Sequence, residues 1–130
     1  MKIHCLALDL KDNPKLIAEY RRWHKPDLIW PEVLDAIRAN GVLKEHIFLL
    51  GNRMVMVLET TDDFGLEEKA AADRSNPRMQ EWEELMWRFQ QPLPQAAPGE
   101  KWVMMEEIFE ASATTPSSAD ITALAAEVDV

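Results

Sequence analysis

Residues 46–60, HIFLLGNRMVMVLET, set two runs of strand-favouring side chains on either side of Gly51-Asn52. A Gly-containing pair between two such runs is a hairpin signal, so the stretch predicts two antiparallel neighbours joined by a tight turn. Upstream, residues 3–10, IHCLALDL, form a short apolar run bounded by KDNP, which has the length and setting of a first strand. Its parity puts His4, Leu6, Leu8 and Leu10 on one face and Cys5, Ala7 and Asp9 on the other. Between this strand and the hairpin, Asn13 reads as a helix N-cap with Pro14 at the first helical position. Leu16, Ile17, Tyr20 and His24 then recur at helical spacing up to Lys25, before Pro26. A second helical piece starts at Pro31, passes through Val33, Leu34 and Ile37 to Asn40, and stops at Gly41.

Downstream, a short helix is predicted over Phe64–Ala72, and a stronger one opens at Pro77. Met79, Trp82, Leu85, Met86 and Phe89 share a face of it until Pro92. QPLPQAAPGE is a proline-rich connector, and WVMMEEIF, residues 102–109, reads as a fourth strand. The order is β-α-β-β-α-β, an α+β class with an antiparallel sheet in the split-βαβ or ferredoxin-like pattern. Helices cover one face of such a sheet, and the other face needs cover, which predicts a homodimer. Residues 1–111 are read as the domain, and residues 112–130, small and polar with one Asp120-capped helix, as a tail.

The 130 residues suffice for one core, and the net charge of −9 repels phosphate backbones and anionic membranes, so no nucleic-acid or membrane partner is expected. The first apolar run is too short for a signal peptide or a membrane span, and a lone Cys5 suits a reducing compartment, which predicts a cytoplasmic protein. With three histidines at no metal-binding spacing and one cysteine, no metal is expected. Without a P-loop or a dinucleotide fingerprint, no cofactor is expected either. General acid and base work remains, for which histidine is suited. His24 stands one helical turn after Tyr20, so both side chains project from one face at a helix C-terminus, where the dipole favours a protonated ring. The same spacing also fits a half-buried packing pair. Trp23, Trp30, Trp82 and Trp87 fit either core anchors or sugar platforms.

The stretch EYRRWHKPDLIWPEVLDAIRANG, residues 19–41, resembles the signature of the L-rhamnose mutarotase family. HCLALDLKDNPKLIAEY, LLGNRMVMVLET, QEWEELMW and GEKWVMMEEIF follow in that family's order, so the resemblance spans residues 3–111. The opening HCLALDL and closing GEKWV look most like its L-fucose members. The resemblance implies a dimeric α/β barrel of ferredoxin-like subunits, no cofactor, a small-molecule monosaccharide substrate, and interconversion of the α and β anomers of a 6-deoxyhexose, L-fucose ahead of L-rhamnose. It also implies that His24 is the proton donor, that Tyr20 contacts or relays a proton to the sugar, and that Trp82, with Trp30 beside it, stacks on it. The second tryptophan of the family's Trp-Trp pair is Glu83 here. A sugar-contacting tyrosine is replaced in the Glu45-His46 region, and two extra residues lie between His24 and Trp30. The partner base is open among His46, Glu45, Glu83, His4 and Asp9, with parity separating the last two. A non-catalytic small-ligand module, or a cofactor-free oxygenase or isomerase on the same scaffold, is the rival reading.

Overall fold

The hairpin forms around Gly51-Asn52. In the computed structural model, which describes residues 1–113, β2 (Val42–Leu50) pairs with β3 (Arg53–Thr60), and Leu50 faces Arg53 across the turn. Of the turn pair only Gly51 takes a positive φ, 62°, the arrangement of a type II′ turn, whose twist suits antiparallel strands. β2 begins at Val42, earlier than the hairpin signal, because Gly41 at φ 87° turns the chain straight from a helix end into the strand. β1 (Lys2–Leu10) lies antiparallel to β3, with Leu6 opposite Met56 and Leu8 opposite Met54. The sheet order is β2-β3-β1-β4, the ferredoxin-like order expected.

The free edge of β1 is covered in two pieces rather than by one strand over residues 102–109. β4 (Gln90–Gln91) pairs with Asp9 and Leu10, and β5 (Val103–Met104) pairs with Leu6 and Ala7. Pro92 has no N–H to continue the first ladder, so the chain leaves and returns through the proline-rich connector. The tail expected from residue 112 lies, from residue 114 on, outside the described residues.

Four helices stack against one sheet face: α1 (Pro14–Trp23), α2 (Pro31–Ala39), α3 (Leu66–Arg74) and α4 (Pro77–Trp87). Asn13 Oδ1 accepts from the backbone N–H groups of Lys15 and Leu16 at 2.9 and 3.2 Å, and Asn76 caps α4 in the same way. Such caps stabilise a helix by about 1 kcal/mol each. α4 ends at Trp87, short of Pro92, because Gln90 and Gln91 are drawn into the sheet. Its inner face, Met79, Trp82 and Met86, packs with Phe89 against Leu8, Leu10 and Met54 to form the main core. No helix among the described residues is long and apolar enough to cross a membrane.

Pleat parity separates two sheet faces. Leu6, Leu8, Met54, Met56 and, through the β2 register, Glu45, Ile47 and Leu49 face the helices. Ile3, Val55, Val57, His46, Phe48 and Leu50 face away, with the Asp9–Arg53 ion pair among them. Ile3, Phe48 and Leu50 are 58%, 60% and 85% exposed, so this outer face is apolar and open in the single chain.

Candidate active site

Between the helices and the inner sheet face lies a cavity of about 960 Å³, at the large end for small-molecule sites. α1 delivers the first pair of functional groups into it. The rings of Tyr20 and His24 sit 4.5 Å apart, as their one-turn spacing predicts. Tyr20 is 5% exposed, and its oxygen accepts a hydrogen bond from Gln90 Nε2 at 3.4 Å. The phenol proton is therefore free to be given elsewhere. Burial, offset by Gln90 and reinforced by the charge of Glu45, pushes the phenol up to about 12, which keeps it protonated.

His24 is the C-cap of α1, and its Nδ1 lies 2.7 Å from the Tyr20 carbonyl. A carbonyl only accepts, so Nδ1 carries the proton and Nε2 presents a lone pair. Burial holds the ring below the ordinary histidine value, and the bond to the Tyr20 carbonyl only partly offsets this. The helix-end preference for a charged ring is thus outweighed by desolvation, and the resting imidazole is neutral.

Trp82 lies against both the Tyr20-His24 edge and the core. Its ring meets His24 edge-on at 5.6 Å, Trp23 at 6.5 Å and Trp30 at 5.2 Å. Trp30 is not part of the cavity wall; it braces Trp82 from behind, with the Arg78 guanidinium 3.6 Å over its own ring. The chain between His24 and Trp30 forms a turn in which Leu28 and Ile29 both donate to the Lys25 carbonyl at 2.9 Å. Through it Pro26 and Ile29 reach the cavity wall.

The remaining expected residues divide. Glu45 and Glu83 line the cavity. Burial raises the Glu45 carboxyl, with Lys69 opposing and Asp73 adding to the shift. Glu45 is open to solvent through the cavity yet ringed by protein, which accounts for both its exposure and its desolvation. Glu83 accepts from Gln80 Nε2 at 3.2 Å, and its backbone carbonyl receives Lys101 Nζ at 2.9 Å. His46 lies on the outer face, stacked on Phe48 at 6.0 Å with Nε2 3.3 Å from Glu59, and the structure does not bring it to the others. His4 packs on Phe64 and Asp9 pairs with Arg53, and neither is in the cavity wall.

Gln90, Lys69, Asp73, Lys101 and Trp102 also line the cavity and were not anticipated. The inward i, i+4 spacing of Lys69 and Asp73 was a readable signal, since both fall on the face of α3 begun by Leu66. Gln90 had none, because its place depends on the pairing of β4 with β1.

The model of the L-rhamnose mutarotase family matches residues 3–111. The chain is 47% identical over 108 residues to the L-fucose mutarotase of Xanthomonas campestris pv. campestris, covering 83% of this chain and 86% of that protein. Among solved structures, an L-rhamnose mutarotase from Formosa agariphila superposes with a TM-score of 0.63 at 20% identity, over 86% of this chain and all of that one. The tetracenomycin F2 cyclase of Streptomyces glaucescens, a type-II polyketide cyclase, does so with a TM-score of 0.60 at 17% identity, over 87% and 99% of the two chains. Both structural likenesses speak to fold alone. The family model and the Xanthomonas relative, spanning the hairpin, the Tyr20-His24 edge and α4 together, make this chain a member of the L-rhamnose mutarotase family.

Proposed function

We propose that this protein is a sugar mutarotase that interconverts the α and β anomers of a 6-deoxyhexose, with L-fucose as substrate. The observation that carries the reading is the Tyr20-His24 edge, an imidazole with a free Nε2 beside a protonated phenol in a cavity walled by Trp82. Identity to the L-fucose enzyme of Xanthomonas supports fucose, while the family name keeps L-rhamnose as the alternative.

Mutarotation opens the ring to the aldehyde, turns the carbonyl face and closes it again. Opening needs a base at the anomeric hydroxyl and an acid at the ring oxygen. Neutral His24 takes the anomeric proton on Nε2, the reverse of the donor role that the family resemblance implies, because burial disfavours the protonated ring that a donor would need. The ring oxygen receives a proton from the Tyr20 phenol or from Glu45, whose raised pKa lets it carry one nearer neutrality than an ordinary carboxylate. Closing returns both protons along the same routes to the other carbonyl face, so nothing is consumed. Trp82 presents an apolar ring for the sugar's C–H face and methyl group.

The working form is a homodimer in the cytoplasm. The open apolar outer face around Ile3, Phe48 and Leu50 fits a second copy, and the free Cys5 suits a reducing compartment. Sedimentation of Phe48→Glu beside the parent chain tests the dimer, and an unchanged sedimentation coefficient would remove that face from it. NMR saturation transfer between the anomers of L-fucose and of L-rhamnose tests the activity. Faster exchange at an unaltered anomer ratio with no new product is expected, whereas binding without faster exchange would make this a binding module.

A further inference from the structure

α3 faces the cavity with Leu66, Lys69, Ala70 and Asp73, the i, i+3, i+4, i+7 face that in a packing helix would be apolar. Here two of its four members are charged, and no residue of the helix is buried. Lys69 Nζ donates to Asp73 Oδ2 at 2.8 Å, and each side chain is only 13% exposed. The pair is incomplete as it stands. An ammonium has three N–H donors, of which one is used here, and Asp73 Oδ1 is buried with no partner. Glu45 lines the same cavity from β2, near enough for its charge to couple to both, and its carboxylate has no hydrogen-bond partner among the described residues. A half-buried charged pair with spare donors beside a free carboxylate costs stability in an empty core, but it suits a ligand that offers hydroxyl groups as acceptors and donors together.

We propose that Lys69 is a specificity-determining residue of the sugar site, held by Asp73 so that it donates to a ring hydroxyl where L-fucose and L-rhamnose differ, with Glu45 accepting beside it. The two sugars differ in the configuration of the C2 and C4 hydroxyls, so one fixed donor can favour one of them. The inference rests on the mutarotase reading and deepens it. With Glu45 accepting at that hydroxyl, the ring-oxygen proton falls to Tyr20, and Lys69 makes no hydrogen bond to Tyr20 or His24, so it acts on binding and not on the chemical step.

The test compares the parent chain with Lys69→Met and Lys69→Arg, reading sugar binding from tryptophan fluorescence and anomer exchange from saturation transfer. Lys69→Met is expected to weaken L-fucose binding by about tenfold or more and to narrow the fucose-to-rhamnose ratio of kcat/KM by a similar factor. The exchange rate at saturating sugar stays within about threefold of the parent, and Lys69→Arg recovers part of the binding. Equal losses on the two sugars, or a loss confined to the saturated rate, would overturn the assignment. Lys69→Gln replaces the Met variant if near-ultraviolet circular dichroism shows that variant misfolded. If the parent chain accelerates exchange of neither sugar, the mutarotase reading fails, yet the fluorescence titrations still decide whether Lys69 discriminates between them.

Discussion

α3 and α4 are neighbours of nine and eleven residues that look onto the same cavity, and they are built in opposite ways. α4 is capped by Asn76 and turns Met79, Trp82 and Met86 inward to near-complete burial. α3 has no side-chain cap, buries nothing, and turns the Lys69-Asp73 pair inward. Charged groups cannot replace methionine and tryptophan in a packed core without a heavy desolvation cost, so α3 keeps its pair only because a cavity lies in front of it. One wall thus carries the fold along with the proposed chemistry, whereas the other is released from packing and is free to follow a ligand.

The largest effect should come from the wall shared by α1 and α4. His24→Ala is expected to lose about 10²- to 10⁴-fold in anomer exchange while the chain stays folded, because the ring contributes a proton transfer but only part of its packing. Saturation transfer on L-fucose, with a thermal melt alongside, reads both. Exchange within a few-fold of the parent would take His24 out of the mechanism. The pH profile sharpens this. His24 works neutral and burial lowers its pKa, so kcat/KM should stay flat down through the ordinary histidine value of 6.5 and fall only in more acid solution. An acid limb centred above 6.5 would contradict the neutral resting ring. The same shift acts on stability with a definite sign. As pH falls below 6.5 the unfolded ring gains its proton first, so stability declines toward the lower folded value.

Trp82→Ala tests how far the same wall carries the fold. The ring is 6% exposed and meets three other aromatic rings, so its loss should cost about 3–5 kcal/mol, read as a drop in the denaturation midpoint at unchanged m-value. Activity should fall with it, since the ring lines the cavity and packs on His24, the proposed base. A variant that kept full stability but lost binding would make Trp82 a platform and not a core anchor.

These differences also explain what could be read in the chain alone. The Gly51-Asn52 hairpin, the Asn13-Pro14 helix start and the inner face of α4 follow from local rules of turn, cap and period, and all three stand in the structure. Tyr20 and His24 meet because four residues make one helical turn. The divided fourth strand was not legible, because Gln90-Gln91 takes half of the β1 edge through long-range pairing. His46 and Glu45 are adjacent in sequence, yet strand alternation sends one to the outer face and the other into the cavity. Which of them faced inward depended on the register against β3, and the bulge between Val42 and Lys44 hides that register from a reading of the sequence.

Tyr20 gives a smaller effect with a clean readout, because it is the one tyrosine of the chain. Phenolate absorbance should titrate near 12 in the folded protein and near 10 once denaturant exposes the ring. A raised folded pKa means that the associated stability is fully present below pH 10 and is lost as pH climbs to 12. The amount is on the order of 2–3 kcal/mol. Titration near 10 in the native state would mean that the phenol is not sealed by the α1 and α4 wall.

The smallest stability change belongs to α3. Lys69→Ala removes an i,i+4 ion pair whose two side chains are each only 13% exposed, so the expected cost is about 1–2 kcal/mol, above that of an exposed pair and below that of Trp82→Ala. Two effects oppose each other here. Losing the ammonium leaves Asp73 half-buried without its partner, which destabilises, and it also removes a desolvated charge from the cavity wall, which offsets part of that loss. Chemical denaturation of the variant beside Trp82→Ala measures the contrast between the two helices directly. A cost for Lys69→Ala approaching that of Trp82→Ala would mean that α3 is also structural, and its charged face would then need an explanation in packing and not in the substrate.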